Sequence, residues 1–336
     1  MKTRIRKFAA IISISFIAFL VGTTTLCPIE SWPQKMIVSV PIANVRDKQT
    51  PMKKSAYEKM DWEQVTQVLF GELVTAHERQ GKWLRIKTPE QKICVNGKWY
   101  ECCGWIRESH VTPMKTFPKY NLVVKTPWTF IYDLSYPQRK PILPVTLGTH
   151  LEGVHLNKDW CKVKLPNGRH GLIKEDTIYD LASWKRRRPT LLRKSILQTA
   201  AQFVGTPYLW GGRSFFTTQL NKTLSSSDCS GLTNLCYRIH GIEIPRNAYS
   251  QYMKSKKLSR NPRPGDLIFL SRKDNPKHIY HVLVYVGKNM LIEAKGDEVR
   301  KTRLISSNER FGKSLKQIRN GEKVNSDFVY FGSFVQ

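Results

Sequence analysis

A fixed internal offset constrains this chain more than any other feature. Val68, Gly71, Val74, Trp83 and Ile86 recur 77 residues later as Val145, Gly148, Leu151, Trp160 and Val163. Chance seldom keeps five apolar and glycine positions in step, so residues 36–185 read as two copies of one unit. The runs inside each copy are short, apolar and β-branched, such as Lys-Trp-Leu-Arg-Ile-Lys-Thr at 82–88 and His-Gly-Leu-Ile-Lys at 170–174, with Gly, Pro and Asn between them. Such runs form strands, and short strands of this kind close into small barrels. Two small β units leave about half of a 336-residue chain for a further domain.

The copies also end alike, with Gly104-Trp105-Ile106 in the first and Gly171-Leu172-Ile173 in the second. This pattern resembles the bacterial SH3-like domain, better in the first copy, where Ala43-Asn44-Val45-Arg46 also fits the opening strand. The resemblance implies modules that bind cell-wall material or pack against a catalytic domain. The second copy lacks the closing tryptophan, which favours packing. The first carries an extra stretch at 88–103 with Trp99 and Tyr100. Aromatic loop tips often carry contacts, so Tyr100 is expected to reach the active cleft. The implied organisation is a signal peptide or N-terminal anchor at 1–30, SH3-like domains at 31–115 and 116–185, and a third domain at 190–336. The basic run Lys185-Arg186-Arg187-Arg188 reads as a solvated linker.

Lys2, Arg4, Arg6 and Lys7 precede an apolar run at 8–21. Charge followed by a short apolar stretch is the layout of a secretory signal, and the run is short for a spanning helix. Export to the periplasm or cell envelope is therefore expected, by signal peptide or by uncleaved anchor. Lys and Arg outnumber Asp and Glu by 55 to 26, a net charge of +29. Such a field favours polyanions, here an anionic membrane or wall surface. Nucleic acid is not expected, because the chain has no zinc-finger spacing, RNP signature or dominant basic helix. Of seven cysteines, Cys94 with Cys102 or Cys103 is placed to close a short hairpin-like loop if oxidised. No Cys/His set has structural-zinc spacing, so neither a metal nor another cofactor is expected.

In the last third, Leu232, Leu235, Cys236 and Ile239 fall at helical spacing, with Gly241 as a stop. Asp228 is a natural N-cap, which puts Cys229 in the first turn at the positive end of the helix dipole. A thiol there is biased toward the nucleophilic thiolate. A lone cysteine on an apolar helix face is ordinarily core, so the downstream residues must decide. Pro264-Gly265-Asp266 opens a strand at 267–270, and residues 281–286 alternate as a second. A three-residue loop at 287–289 pairs Leu283 with Glu293 and sets His281, Leu283 and Glu293 on one face; an even loop would separate His281 from Glu293.

Tyr208-Leu209-Trp210-Gly211-Gly212, Asp228-Cys229-Ser230-Gly231-Leu232, Ile244-Pro245-Arg246, Pro264-Gly265-Asp266-Leu267, His281-Val282 and Leu291-Ile292-Glu293-Ala294 stand in the order and spacing of the NlpC/P60 family of cell-wall cysteine peptidases. The chain resembles that family over about 140 residues, and the arrangement of SH3-like modules before such a domain resembles γ-D-glutamyl-L-diamino-acid endopeptidases in particular. The resemblance implies a papain-like α+β fold. Cys229 becomes the nucleophile, His281 the general base, and Tyr208 a hydroxyl near the oxyanion. Asp228, Ser230, Trp210 and Arg246, with Tyr100, become substrate neighbours. The implied partner is peptidoglycan or a muropeptide, cleaved at the γ-D-glutamyl–diaminopimelate amide. Two positions depart from the family pattern. The third polar residue, usually His, is Glu293, and Asn247-Ala248 stands where members restricted to a free L-alanine terminus carry an acid. A lapsed, wall-binding domain or an acyltransferase is the alternative.

Overall fold

The computed structural model describes residues 31–53, 55–114, 116–135, 138–184, 187–215, 225–259 and 261–335. The expected signal or anchor segment, and Lys185-Arg186 of the linker, lie outside them. No helix among the described residues is long and apolar enough to cross a membrane.

The repeat seen in sequence is a repeat of topology. In the first module β1 (Gln34–Val38), β2 (Ile42–Arg46), β3 (Gln64–Leu69), β4 (Leu73–Gln80), β5 (Trp83–Val95), β6 (Lys98–Arg107) and β7 (Val111–Pro113) form one sheet in the order β3-β2-β6-β5-β4-β1-β7. The second contains β8 (Leu122–Val124), β9 (Trp128–Tyr132), β10 (Pro141–Thr146), β11 (His150–Leu151), β12 (Gly153–His155), β13 (Trp160–Lys164), β14 (His170–Lys174) and β15 (Ile178–Asp180). Its strands run β10-β9-β14-β13-β12 and β11-β8-β15, which is the same order with the counterpart of β4 broken at Glu152. Gly71 and Gly148, repeat positions that both precede that strand, share the left-handed conformation, with φ of 82° and 87°. A turn there needs that φ, which glycine adopts without steric cost.

The stretch at 88–103 is a two-stranded extension of β5 and β6, with Ile93 opposite Tyr100 and Cys94 opposite Trp99. This corrects the expected disulfide. The register sets Cys102 against Thr88, away from Cys94, and Cys94, Cys102 and Cys103 are free thiols.

The last domain begins after α1 (Leu181–Trp184). It contains α2 (Pro189–Gln202), α3 (Cys229–Arg238), α4 (Ala248–Lys254), β16 (Lys256–Leu258), β17 (Leu267–Arg272), β18 (Asn275–Gly287), β19 (Met290–Lys295), β20 (Lys301–Ser306), α5 (Ser307–Phe311), β21 (Glu322–Val324) and β22 (Asp327–Ser333). Its sheet runs β16-β22-β17-β18-β19-β20, with β21 on β22. Period-two alternation divides the sheet's side chains. Leu267, Phe269, Val282, Val284 and Ile292 pack with Ile196, Leu232 and Leu235 of the helices, whereas Ile268, Leu270, Leu283, Leu291 and Ile305 pack with Phe311, Leu315 and Ile318. The architecture is α+β, with the helix of Cys229 laid on an antiparallel sheet.

The β modules join this core. Leu69, Val123 and Leu147 share one apolar cluster with Leu235 and Cys236. Arg238 Nε donates to the Gly148 carbonyl at 2.9 Å. Glu72 of the first module accepts from Arg213 at 2.7 Å and lies 3.2 Å from Arg238, all three buried. Arg238 also reaches Glu90 and Glu243.

Candidate active site

Asp228 caps α3 as the local sequence demands. It is extended at φ −85° and ψ −178°, and its carboxylate accepts the Gly231 N–H at 2.6 Å. Cys229 follows at the first helical position, only 8% exposed. The cap is itself held. Arg246 donates to both oxygens of Asp228, at 3.1 and 2.8 Å, to Ser230 Oγ at 3.0 Å, to Thr66 Oγ1 at 2.6 Å and to the Gly212 carbonyl at 3.2 Å. Ser230 Oγ in turn donates to Asp228 at 3.0 Å. Arg246 was expected to contact substrate. Its guanidinium is instead committed to five protein acceptors, because a buried arginine must find partners for its donors. It positions the helix start.

His281 reaches Glu293 through a hairpin that differs from the expected one yet keeps its parity. The loop is the two-residue Lys288-Asn289, both in the left-handed region at φ 47° and 64°, as a primed hairpin turn requires. An even loop alone would place His281 and Glu293 on opposite faces. A bulge before Gly287 restores the register, so that Val284 pairs with Ile292 and Tyr285 with Leu291. One step further, Leu283 stands opposite Glu293, and His281 is its diagonal neighbour. A glutamate spans that diagonal. The result is a 3.0 Å hydrogen bond between His281 Nε2 and Glu293 Oε1.

Burial alone would push the His281 pKa down, but the adjacent Cys229 sulfur and the Glu293 carboxylate more than offset it, raising the imidazole to about 9. Glu293 is fully buried, and burial would raise its pKa. Its contacts to His281, Arg310 and Arg303 win, holding it well below the usual carboxylate range. Arg303 donates to Oε2 at 2.9 and 2.7 Å, and Arg310 to Oε1 at 3.1 Å while also reaching Asp327. Neither arginine belongs to the motifs singled out in the sequence. Arg303 is the direct cross-strand partner of Glu293, a pairing readable only once the β19–β20 register is known.

Tyr208 is buried beside the same center, and burial, with the Cys229 and Asp228 charges nearby, pushes its phenol well above the usual range. A Cβ on Gly296 would lie 2.5 Å from the Tyr208 ring, so this glycine permits the ring's position. Tyr208, Trp210, Asp228, Cys229, Ser230, Arg246, His281 and Glu293 all line one cleft of about 570 Å³. Its opposite wall comes from the first β module, including Trp62, Gln64 and Ile93. Trp62 meets Trp210 edge-on with ring centers 4.5 Å apart and is otherwise exposed. No sequence motif marked it.

Tyr100 is the exception. It lines a second groove with Glu90, Lys92, Trp99 and Lys254, while Ile93 and Cys102 of the same hairpin line the cleft. The expectation treated residues 88–103 as a loop with a free tip. Strand pairing with Ile93 fixes Tyr100 instead.

Residues 205–320 match the NlpC/P60 family. The chain is 28% identical over 235 residues to a γ-D-glutamyl-L-lysine dipeptidyl-peptidase of Bacillus cereus (strain ATCC 10987 / NRS 248), covering 68% of this chain and 66% of that protein. It is 27% identical over 231 residues to the protein of the same name in Bacillus subtilis (strain 168), covering 68% and 71%. The solved structure of an NlpC/P60 family protein from Bacillus cereus ATCC 10987 superposes with a TM-score of 0.71 at 20% identity, over 90% of this chain and 100% of that one.

Proposed function

We propose, for a chain whose residues 205–320 form an NlpC/P60 domain, that it is a cysteine peptidase of peptidoglycan stem peptides, cleaving the γ-D-glutamyl–diamino-acid amide. The observation that carries this reading is the Cys229–His281–Glu293 constellation on the floor of a cleft sized for a short peptide. The names of the two Bacillus relatives support the bond. The cleft thiol, its imidazole and a third group fixing that imidazole are the set that acyl transfer needs.

In the proposed reaction His281 takes the Cys229 proton, and the sulfur attacks the γ-carbonyl of the D-glutamyl residue. The backbone N–H of Cys229, at the helix start, and the protonated Tyr208 hydroxyl donate to the developing oxyanion. The leaving amine departs with the proton from His281. Water, deprotonated by His281, then attacks the thioester and releases the γ-D-glutamyl product. Glu293 holds the ring by Nε2 and favors the imidazolium, as a carboxylate does in serine triads. Arg303 and Arg310 keep Glu293 ionised. The assembled constellation supports turnover over a lapsed, purely wall-binding domain. The basic chain supports work at an anionic wall or membrane surface after export.

The test is incubation of the chain with L-Ala-γ-D-Glu-diaminopimelate, with the alanine amine free and acetylated, followed by mass analysis. Release of L-Ala-γ-D-Glu is expected, and Cys229→Ala is expected to abolish it with the fold unchanged. Turnover retained in Cys229→Ala, or a transferred acyl group in place of the hydrolysed acid, would overturn the reading. The acetylated arm reports whether a free amine is required.

A further inference from the structure

The second β module holds a group of side chains outside the cleft lining that suits a metal ion. His155 on β12 and Cys161 on β13 are directly paired residues, and Glu175 follows β14. His155 Nδ1 lies 2.8 Å from Glu175 Oε1 and 3.1 Å from Cys161 Sγ. Cys161 Sγ lies 2.6 Å from Glu175 Oε2. The donor atoms thus converge on one point from two adjacent strands and the turn after β14.

The backbone around them is fixed. Cys161 pairs with Ile173 on its other side, Trp160 with Lys174, and the Glu175 N–H donates to the Asp159 carbonyl at 2.9 Å. Cys161 is fully buried in the module's core, whereas the side chains of His155 and Glu175 are 47% and 29% exposed. One side of the group is therefore closed by protein and the other opens to solvent. Thiolate, imidazole and carboxylate together are the donor set of a borderline-soft transition metal, and the sulfur disfavors calcium or magnesium, which take oxygen donors.

We propose that His155 Nδ1, Cys161 Sγ and a Glu175 carboxylate oxygen bind one divalent ion of zinc's class, with water as the fourth ligand on the solvent side. Ion–donor distances of about 2.0–2.3 Å require donors roughly 3.3–3.6 Å apart, so the side chains need open by less than about 1 Å. Binding converts the Cys161 thiol to thiolate and releases its proton to solvent, with no oxidant or reductant involved. The ion ties the β12–β13 hairpin to the end of β14. The sequence spacing, with donors 6 and 14 residues apart, matches no paired-cysteine pattern and so raised no expectation of a metal.

The test uses the full chain carrying Cys229→Ala, stripped with chelator and titrated with Co²⁺. A thiolate-to-cobalt charge-transfer band is expected to saturate at one equivalent and to be displaced by Zn²⁺. Cys161→Ser is expected to abolish the band and to weaken Zn²⁺ binding about tenfold or more. Cys103→Ser and Cys236→Ser should leave it unchanged. Zn²⁺ should also raise the thermal midpoint of the chain, and His155→Ala, a substitution at a half-exposed position, should remove that rise even if Cys161→Ser fails to fold. Absence of the band, or a band and a thermal shift that persist in His155→Ala, would overturn the proposal.

Discussion

In the proposed reaction, much rests on the Glu293 side chain being charged. Glu293→Gln keeps the length and one hydrogen bond to His281 but removes the carboxylate that stabilises the imidazolium. It also leaves Arg303 and Arg310 facing a neutral amide in place of the carboxylate they share. Loss of about 10²-fold or more in kcat/KM for the stem peptide is expected, since the corresponding carboxylate-to-amide change in a serine triad costs about 10⁴. The pH dependence has a definite sign. With the imidazole raised to about 9, the protonated ring is present below that value and is lost as pH rises through it. The basic limb of the kcat/KM profile is therefore expected near pH 9, and in Glu293→Gln it should move to lower pH. A limb that does not move would mean Glu293 acts only as packing. Gly296→Ala tests Tyr208 in the same assay. The added methyl would stand 2.3 Å from the Met60 methyl and 2.5 Å from the Tyr208 ring, and the buried ring must yield. A fall in kcat of about tenfold or more, with the thermal midpoint little changed, is expected if the hydroxyl donates to the oxyanion. At this scale the sequence disclosed residue types with spacing, so Cys229, His281 and Glu293 were legible. Arg303, Arg310 and Trp62 were not, because each acquires its meaning from a neighbour distant in the chain.

Elements show the same divide between local and distant information. The cap at Asp228 was legible because it is a contact between residues three apart. The hairpin was legible in its outcome and not in its form. A bulge and an even turn together reproduce the pairing that an odd loop would make, and local composition does not distinguish the two routes. The protein partners of Arg246 were hidden in the sequence for a related reason. Its five acceptors come from Thr66, Gly212, Asp228 and Ser230, which fold together from three regions of the chain. That arrangement predicts a stability effect where a substrate contact would predict a binding effect. Arg246→Ala leaves the Asp228 carboxylate without its buried cationic partner, and removal of one member of a buried pair costs about 3–5 kcal/mol. Urea unfolding should show a loss of this size. A variant of unchanged stability whose KM alone rises would return Arg246 to the substrate.

For the molecule as a whole, the repeat announced two similar modules but not which residues join them to the domain that carries Cys229. Sequence repeats report what each unit buries within itself, in the separate clusters around Val45 and Val145. They do not report the joint, which here combines Leu69, Leu147 and Leu235 with a buried charge group. Glu72 sits between Arg213 and Arg238, and both arginines pull its pKa down against the effect of burial. The first module also supplies one wall of the cleft. A joint of this kind has a thermodynamic consequence. Units that share a core and a buried ion group unfold together, whereas modules on a linker unfold one by one. Calorimetry is therefore expected to give a single transition for residues 32–336. Glu72→Ala leaves Arg213 without its carboxylate, and the expected cost is about 3–5 kcal/mol, felt by the whole transition. The Cys229 helix should lose amide-exchange protection together with the β modules in that variant. Two separated calorimetric peaks, with the later one unaffected by Glu72→Ala, would show the modules to be tethered neighbours, and the wall they lend to the cleft would then be only an occasional one.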